Sequence, residues 1–312
     1  MKKSISLIFL LLIISILKVN SQGCSDAGFC TMGSLKHNEK NDSLKLNSAK
    51  VIFSYGIGEQ GTTIIQTIPE VNFSLVKNNT IQLRLPYMFI NGNLGNNNGI
   101  GDLSLSITQT FTKTDKIKLN GTIGIKIASG QSNDFLIPDY ISFDILPLPM
   151  PYQTSLGTND LILGTSLEYK RWYFGIGYQH VLANKNKNGF LNIKWSDYAD
   201  AQKYFESNLL NRGDDALLRI ERIFSIKKFS CTAGLIGIYR IQEDKISNFQ
   251  NEEIDVYGSD GLTLNLTGST QYNFSQNFGL NFSFGMPLKV REVRPDGLTR
   301  KIVLNTSLSY IF

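Results

Sequence analysis

The chain predicts an all-β fold: a closed antiparallel transmembrane β-barrel of about twelve strands, with short turns at one end and long loops at the other. Three observations carry this expectation. Long segments alternate apolar and polar residues with a period of two, which marks strands with one greasy and one wet face. The connections sort into two classes, tight and long, as periplasmic turns and external loops do in outer-membrane barrels. The chain ends in a strand, Ile302 to Phe312, that is apolar on one face and stops on an aromatic.

The elements follow in chain order. Met1-Lys2-Lys3 is a short basic end, and Ser4 to Leu17 is an apolar run of about 14 residues. That run is shorter than the roughly 20 residues needed to cross a bilayer as a helix. Residues 1–22 therefore read as a secretory signal peptide. Ser21 and Gln22 depart from the residues expected upstream of a lipidated cysteine, which disfavours lipidation at Cys24. Residues 23–49 are expected as a polar periplasmic N-terminal segment, hanging free or tucked into the lumen as a plug. Cys24 and Cys30 are a disulfide candidate in an oxidising periplasm. Cys231 falls in a strand as an apolar filler.

Residues 50–312 form the expected barrel. Alternating segments run over about 50–58, 62–77, 80–90, 100–113, 116–128, 158–170, 172–182, 214–226, 228–241, 260–275, 277–292 and 299–312. Most exceed the ordinary strand length of five or six residues. In 278–288 Phe278, Leu280, Phe282, Phe284, Met286 and Leu288 face one way, against Gly279, Asn281, Ser283 and Gly285. The tight junctions are Asn78-Asn79, Thr114-Asp115, Arg171, Lys227 and Gln276. The opposite junctions are 59–61, 91–99, 129–157, 183–213, 242–259 and 293–298, most of them long. Aromatics gather near strand ends, as membrane-boundary girdles do.

Two loops carry features of their own. Residues 129–157 hold Pro138, Pro147, Pro149 and Pro151, so the segment is stiff and resists strand pairing; it is expected to fold over or into the mouth. In 183–213, Ser196 is placed to cap a short helix with Tyr198, Ala201, Phe205 and Leu209 on one side. Such a helix reads equally as a packed lid or as a gate that touches solute.

The alternation puts Glu70, Arg84, Asp102, Lys118, Lys126, Glu168, Arg219, Glu221, Arg240 and Lys301 in the lumen, with Asp160 at the mouth. An outward charge at mid-membrane costs about 2–4 kcal/mol for Lys or Arg. The selectivity candidates are Arg84, Asp102, Lys118, Lys126, Asp160, Glu168, Arg219, Glu221 and Arg240. The other role for mixed charges is structural pairing across a narrow lumen. A twelve-stranded barrel has room for a small solute or a plug. Arg222 faces lipid near the tight-turn end, where its stem can snorkel.

Several function classes are disfavoured. The formal charge is +5, with no basic tract to suggest nucleic acid. No cofactor is expected, and no metal, because two cysteines near His37 do not make a site. An enzyme is not expected: catalysis at the rim needs a Ser–His or Asp–His arrangement, and the only histidines are His37 and His180, the latter facing headgroups.

Two segments nearly repeat: Gly99-Ile100-Gly101-Asp102-Leu103-Ser104-Leu105 and Gly157-Thr158-Asn159-Asp160-Leu161-Ile162-Leu163. This G-x-[GN]-D-L-x-L pattern resembles the family of outer-membrane proteins named for the MetA pathway of phenol degradation. The resemblance covers these segments and the barrel layout, and the cysteine segment at 23–30 is outside its pattern. It implies a transporter-like barrel passing small molecules, hydrophobic ones among them. The Asn- and Lys-rich composition is compatible with a Gram-negative, Bacteroidetes-type source. The expectation is then a multi-pass, porin-like barrel of the bacterial outer membrane that passes or binds a small solute. The alternative is a non-conducting surface barrel for adhesion or assembly through its long loops. Expected partners are outer-membrane lipid, the small-molecule solute, and the barrel-assembly machinery through the C-terminal strand ending at Phe312.

Overall fold

The computed structural model describes residues 32, 35, 46–74, 78–136, 145–226, 228–298 and 300–312. Eighteen strands occur in it. The first seven are β1 (Leu46–Gly58), β2 (Thr63–Phe73), β3 (Asn79–Arg84), β4 (Tyr87–Gly92), β5 (Gly95–Ile100), β6 (Leu103–Lys113) and β7 (Ile117–Ile127). A short pair, β8 (Phe135–Leu136) and β9 (Leu146–Pro147), is followed by β10 (Thr158–Tyr169), β11 (Trp172–Asn184), β12 (Asp215–Ile226) and β13 (Phe229–Arg240). The hairpin β14 (Asp244–Ser247) and β15 (Glu253–Val256) precedes β16 (Gly261–Asn273), β17 (Phe278–Lys289) and β18 (Arg300–Ile311).

The ring closes because β1 pairs antiparallel with both β18 and β2. Around it, sequence neighbours pair throughout. The strands β3 and β4 are two halves of one barrel strand, since both pair with β2. Its interruption falls at Leu85-Pro86, where proline has no N–H for the ladder. The next strand is likewise split into β5 and β6 at Gly101-Asp102. Counted this way the barrel has twelve strands, as the alternation predicts.

The wall faces are sorted by period two. On β11, Trp172, Phe174, Ile176 and Tyr178 are exposed, while Tyr173 and Gln179 are buried. The outward residues make a lipid-matching band, and its aromatics touch one another along the tight-turn rim. Phe229 meets Tyr272 and Phe278 meets Tyr310 at a tilt, while Tyr272 meets Phe274 and Tyr310 meets Phe312 edge to face, with ring centroids 4.8–4.9 Å apart. Arg222 lies over the Trp172 ring at 4.9 Å, so its outward position is served by a cation–π contact. Cys231 is a free cysteine on the outward face of β13, accepting from Thr270 Oγ1 at 3.5 Å.

Several expectations are corrected. The loop expected at 91–99 is mostly strand, because β4 and β5 pair as a hairpin up to Gly92 and Gly95. The expected helix after Ser196 is replaced by two short 3-10 turns, Asn192–Trp195 and Ala201–Lys203. Leu209 has φ of 51°, a left-handed conformation incompatible with a helix there. Lys301 is exposed rather than lumenal: the register shifts at the start of β18, and Arg300 takes the inward place at 3% exposure. Cys24, Cys30 and His37 lie outside the described residues. Of residues 23–49, expected to hang free or to tuck inside, Met32 and Leu35 are within the lumen and fully buried.

Candidate functional site: the barrel lumen and its cover

The end with long connections is closed by two lids, residues 128–157 and 185–214. The first is proline-rich, and among its described residues strand pairing is limited to the two-residue contact of β8 with β9. Its apolar side chains turn inward. Leu146, Leu148 and Tyr152 join Phe190, Trp195, Ala201 and Tyr204 of the second lid, against Ile64, Met88 and Ile90 of the wall. Polar groups fasten this core from below and within. Trp195 Nε1 donates to Pro147 O at 2.7 Å, and Asn188 Nδ2 donates to Leu148 O at 2.9 Å. The Leu94 N–H donates to Tyr152 Oη at 3.0 Å, which ties the lid to the β4–β5 hairpin. Thr62 Oγ1 and Tyr204 Oη are 3.0 Å apart. Burial, with Tyr152 and Glu59 adding to it, pushes the Tyr204 hydroxyl pKa up against the opposing hydrogen bond to Thr62. The segment expected to fold over the mouth does so.

Beneath the lids lies a continuous chain of buried charges. Lys126 Nζ is 2.9 Å from Asp160 and 3.3 Å from Asp102. The two aspartates of the near-repeated segments thus converge on one lysine, because β6 and β10 flank β7 on either side. Gln179 also donates to Asp160. Arg212 stands 3.8 Å from Asp160 and 2.7 Å from Asp215. Arg240 bonds Asp215 at 2.7 Å, Asp296 at 3.0 Å and Asp244. Arg291 bonds Asp296 at 2.7 Å and Asp244 at 3.4 Å. Asp160 and Asp215 come from strands, Asp244 and Asp296 from two loops and Arg212 from a third, so this network latches the loops to the wall. For Asp296, in the last long loop, burial alone raises the carboxyl. The guanidiniums of Arg291, Arg240 and Arg212 outweigh that and hold it well below the usual carboxylate range.

The remaining candidates lie lower. Arg84 pairs with Glu70 at 3.4 Å, Arg219 with Glu221 at 3.2 Å and Lys118 with Glu168 at 3.5 Å. Their side-chain exposures show where the lumen opens: 25% for Lys118 and 21% for Glu168, against 2% for Lys126 and 0% for Asp160. The charged side chains are open toward the tight turns and buried beneath the lids. All nine candidates are inward, as alternation requires, and each has an opposite-charge partner. Sequence reasoning missed Arg212, Asp215, Asp244, Arg291, Asp296 and Arg300, most of which sit in or beside loops where no period assigns a face.

Between the charge network and the first lid is a cavity with about 50 Å³ of room for water centres. A single water needs about 10–15 Å³ on that measure, so the space holds only a few. Below it, Met32 and Leu35 fill the middle of the lumen, packed on Ile162, Leu217 and Ile236. Arg219 Nη1 donates to Leu35 O at 2.5 Å. The lumen is therefore obstructed at two levels, by the lids and by Met32 and Leu35.

His180 faces outward at the long-loop rim. Its Nδ1 is 2.9 Å from Asp214 Oδ2, its ring stacks on Tyr178, and Tyr178 Oη donates to Asp214 at 2.6 Å. Asp214 is a partner that sequence spacing did not reveal. Among the described residues no cluster of three or more His, Cys, Asp and Glu could hold a metal ion.

No family model matches the chain. No curated protein matches it either. Among solved structures, an outer membrane channel from Pseudomonas putida F1 is similar with a TM-score of 0.58 at 13% identity, over 89% of this chain and 100% of that one. The NanC porin follows at a TM-score of 0.47 and 11% identity, over 84% of this chain and 98% of that one. The transport unit of the autotransporter AIDA-I from Escherichia coli has a TM-score of 0.46 at 10% identity, over 92% of this chain and 97% of that one. The first likeness, together with the closed ring, shows that the chain has the fold of an outer-membrane β-barrel.

Proposed function

We propose that the protein is a conduit of the bacterial outer membrane for a small solute, held shut at rest. The observation that carries this reading is what blocks the lumen. The obstruction consists of two loops and two residues of the N-terminal segment, seated on an inward wall that is otherwise polar. Chain segments can leave such a seat without breaking the hydrogen-bonded ring, whereas a lumen filled by wall side chains cannot clear itself. The similar barrel from Pseudomonas putida F1 is described as a channel, which supports the same reading. Within it, Lys118 and Glu168, exposed to the lumen, are the groups placed to select solutes. The tighter clusters around Lys126 and Arg240 act as latches.

Planar-bilayer recording tests this. The mature protein is expected to show rare openings, and deletion of residues 23–45 is expected to give frequent discrete conductance steps. If neither form conducts, the reading fails. The fully buried lid core then favours the second function, a non-conducting surface barrel for adhesion or assembly, which predicts a loss of attachment when residues 185–214 are trimmed.

A further inference from the structure

We propose that the hollow holding Met32 and Leu35 is the solute-binding site of the lumen, and that these two side chains occupy it in the solute's place. The proposal rests on the reading of the barrel as a conduit.

The wall at this height breaks the rule of the lumen. Barrel strands with a wet interior place polar residues inward. Here Ile162 of β10, Leu217 of β12 and Ile236 of β13 point inward instead, with Ile238 beside them. On the intervening strand, β11, the residue paired with Leu217 is Gly177, which adds no bulk. Two further inward glycines deepen the hollow. A Cβ on Gly164 would lie 2.8 Å from Leu35 Cδ2, and one on Gly124 would collide with Met32 Sδ, so a side chain at either place takes room that Leu35 or Met32 now fills.

The hollow also has one polar fixture. Arg219 Nη1 donates to the Leu35 carbonyl at 2.5 Å. The wall therefore recognises two things together: a compact apolar group and one acceptor oxygen next to it. A small aromatic or short aliphatic molecule carrying a carbonyl or carboxylate presents the same pair. A permanent plug needs neither a hollow cleared at two strands nor a donor aimed at a main-chain oxygen. Ordinary side-chain packing would hold it.

Benzoate is the probe, titrated calorimetrically into the full-length mature protein in detergent, with the heat of titration into detergent alone subtracted. Three forms are compared: wild type, Met32→Ser with Leu35→Ser, and that pair combined with Gly164→Leu. Heat-modifiable electrophoretic mobility verifies a folded barrel in each. A segment that occupies the site nine-tenths of the time weakens apparent affinity about tenfold. Benzoate should thus bind the double variant at least about tenfold more tightly than wild type, and the triple variant should lose binding. Equal affinity in wild type and double variant, or undiminished binding in the triple, would overturn the proposal. Conductance separates the two claims: a benzoate result as expected in a protein that never conducts keeps the site and removes the conduit.

Discussion

Replacing Arg240 by methionine is the most direct probe of the latch beneath the lids. Arg240 is 2% exposed and bonds Asp215 at 2.7 Å, Asp296 at 3.0 Å and Asp244. With Arg212 and Arg291, it balances these three carboxylates charge for charge. Arg240→Met keeps most of the side-chain volume but leaves three buried carboxylates facing two guanidiniums. Removing one partner of a buried ion pair costs about 3–5 kcal/mol, mostly through the charge left uncompensated. Asp296→Asn added to this variant restores the balance and should return about 1–3 kcal/mol, the range of coupling between groups in one network. Urea unfolding of the detergent-folded protein, followed by the fluorescence of Trp195 in the lid, measures both. The pH dependence follows from Asp296, whose folded pKa the arginines depress below the unfolded value of about 3.9. Its contribution is complete above that value and is lost as pH falls toward the folded pKa. The gap between wild type and Arg240→Met should therefore narrow below about pH 4. A cost under about 1 kcal/mol, or a double variant no more stable than the single, would refute the latch.

Three further outcomes are expected. Trp195→Ala removes a fully buried ring packed on Phe190 and Tyr198 and the bond to Pro147 O, so the lid should lose about 3–5 kcal/mol and trypsin should cut sooner at Lys185, Lys187 and Lys194. Unchanged cleavage would show that the lid core does not depend on it. Tyr152→Phe strips the acceptor from the Leu94 N–H at a cost of about 1–3 kcal/mol, and hydrogen exchange at that amide should accelerate. Lys126→Gln should cost about 3–5 kcal/mol because Asp102 and Asp160 lose their shared cation. Lys118→Gln, at a quarter-exposed pair, should cost under about 1 kcal/mol. Equal costs would contradict the division into latch and selector.

Much of the wall was legible from the residues. In β17, Phe278, Leu280, Phe282 and Phe284 line one face, and the unbroken register against β18 keeps them there. A two-residue period is a local property, because each side chain's face is decided by the backbone of its own strand. The same logic placed the nine candidate charges inward. It failed at Lys301, where a register shift at the strand end handed the inward place to Arg300. It also passed over Pro86, which splits one barrel strand in two. The lids were legible only as stiff and apolar. The partners of Trp195 and Tyr152 are set by main-chain oxygens and amides that come from other loops.

What the residues alone determined is a ring with a greasy outside, a polar inside, and two unlike ends, since period, turn length and terminal aromatics are written locally. Only the tertiary arrangement decided that the ring is shut. Closing twelve strands brings β6 and β10 to either side of Lys126, gathers acids from one strand and two loops around Arg240, and sets Met32 and Leu35 against wall residues more than 120 positions further along the chain. Those meetings depend on strand order and loop path, which no stretch of sequence carries by itself.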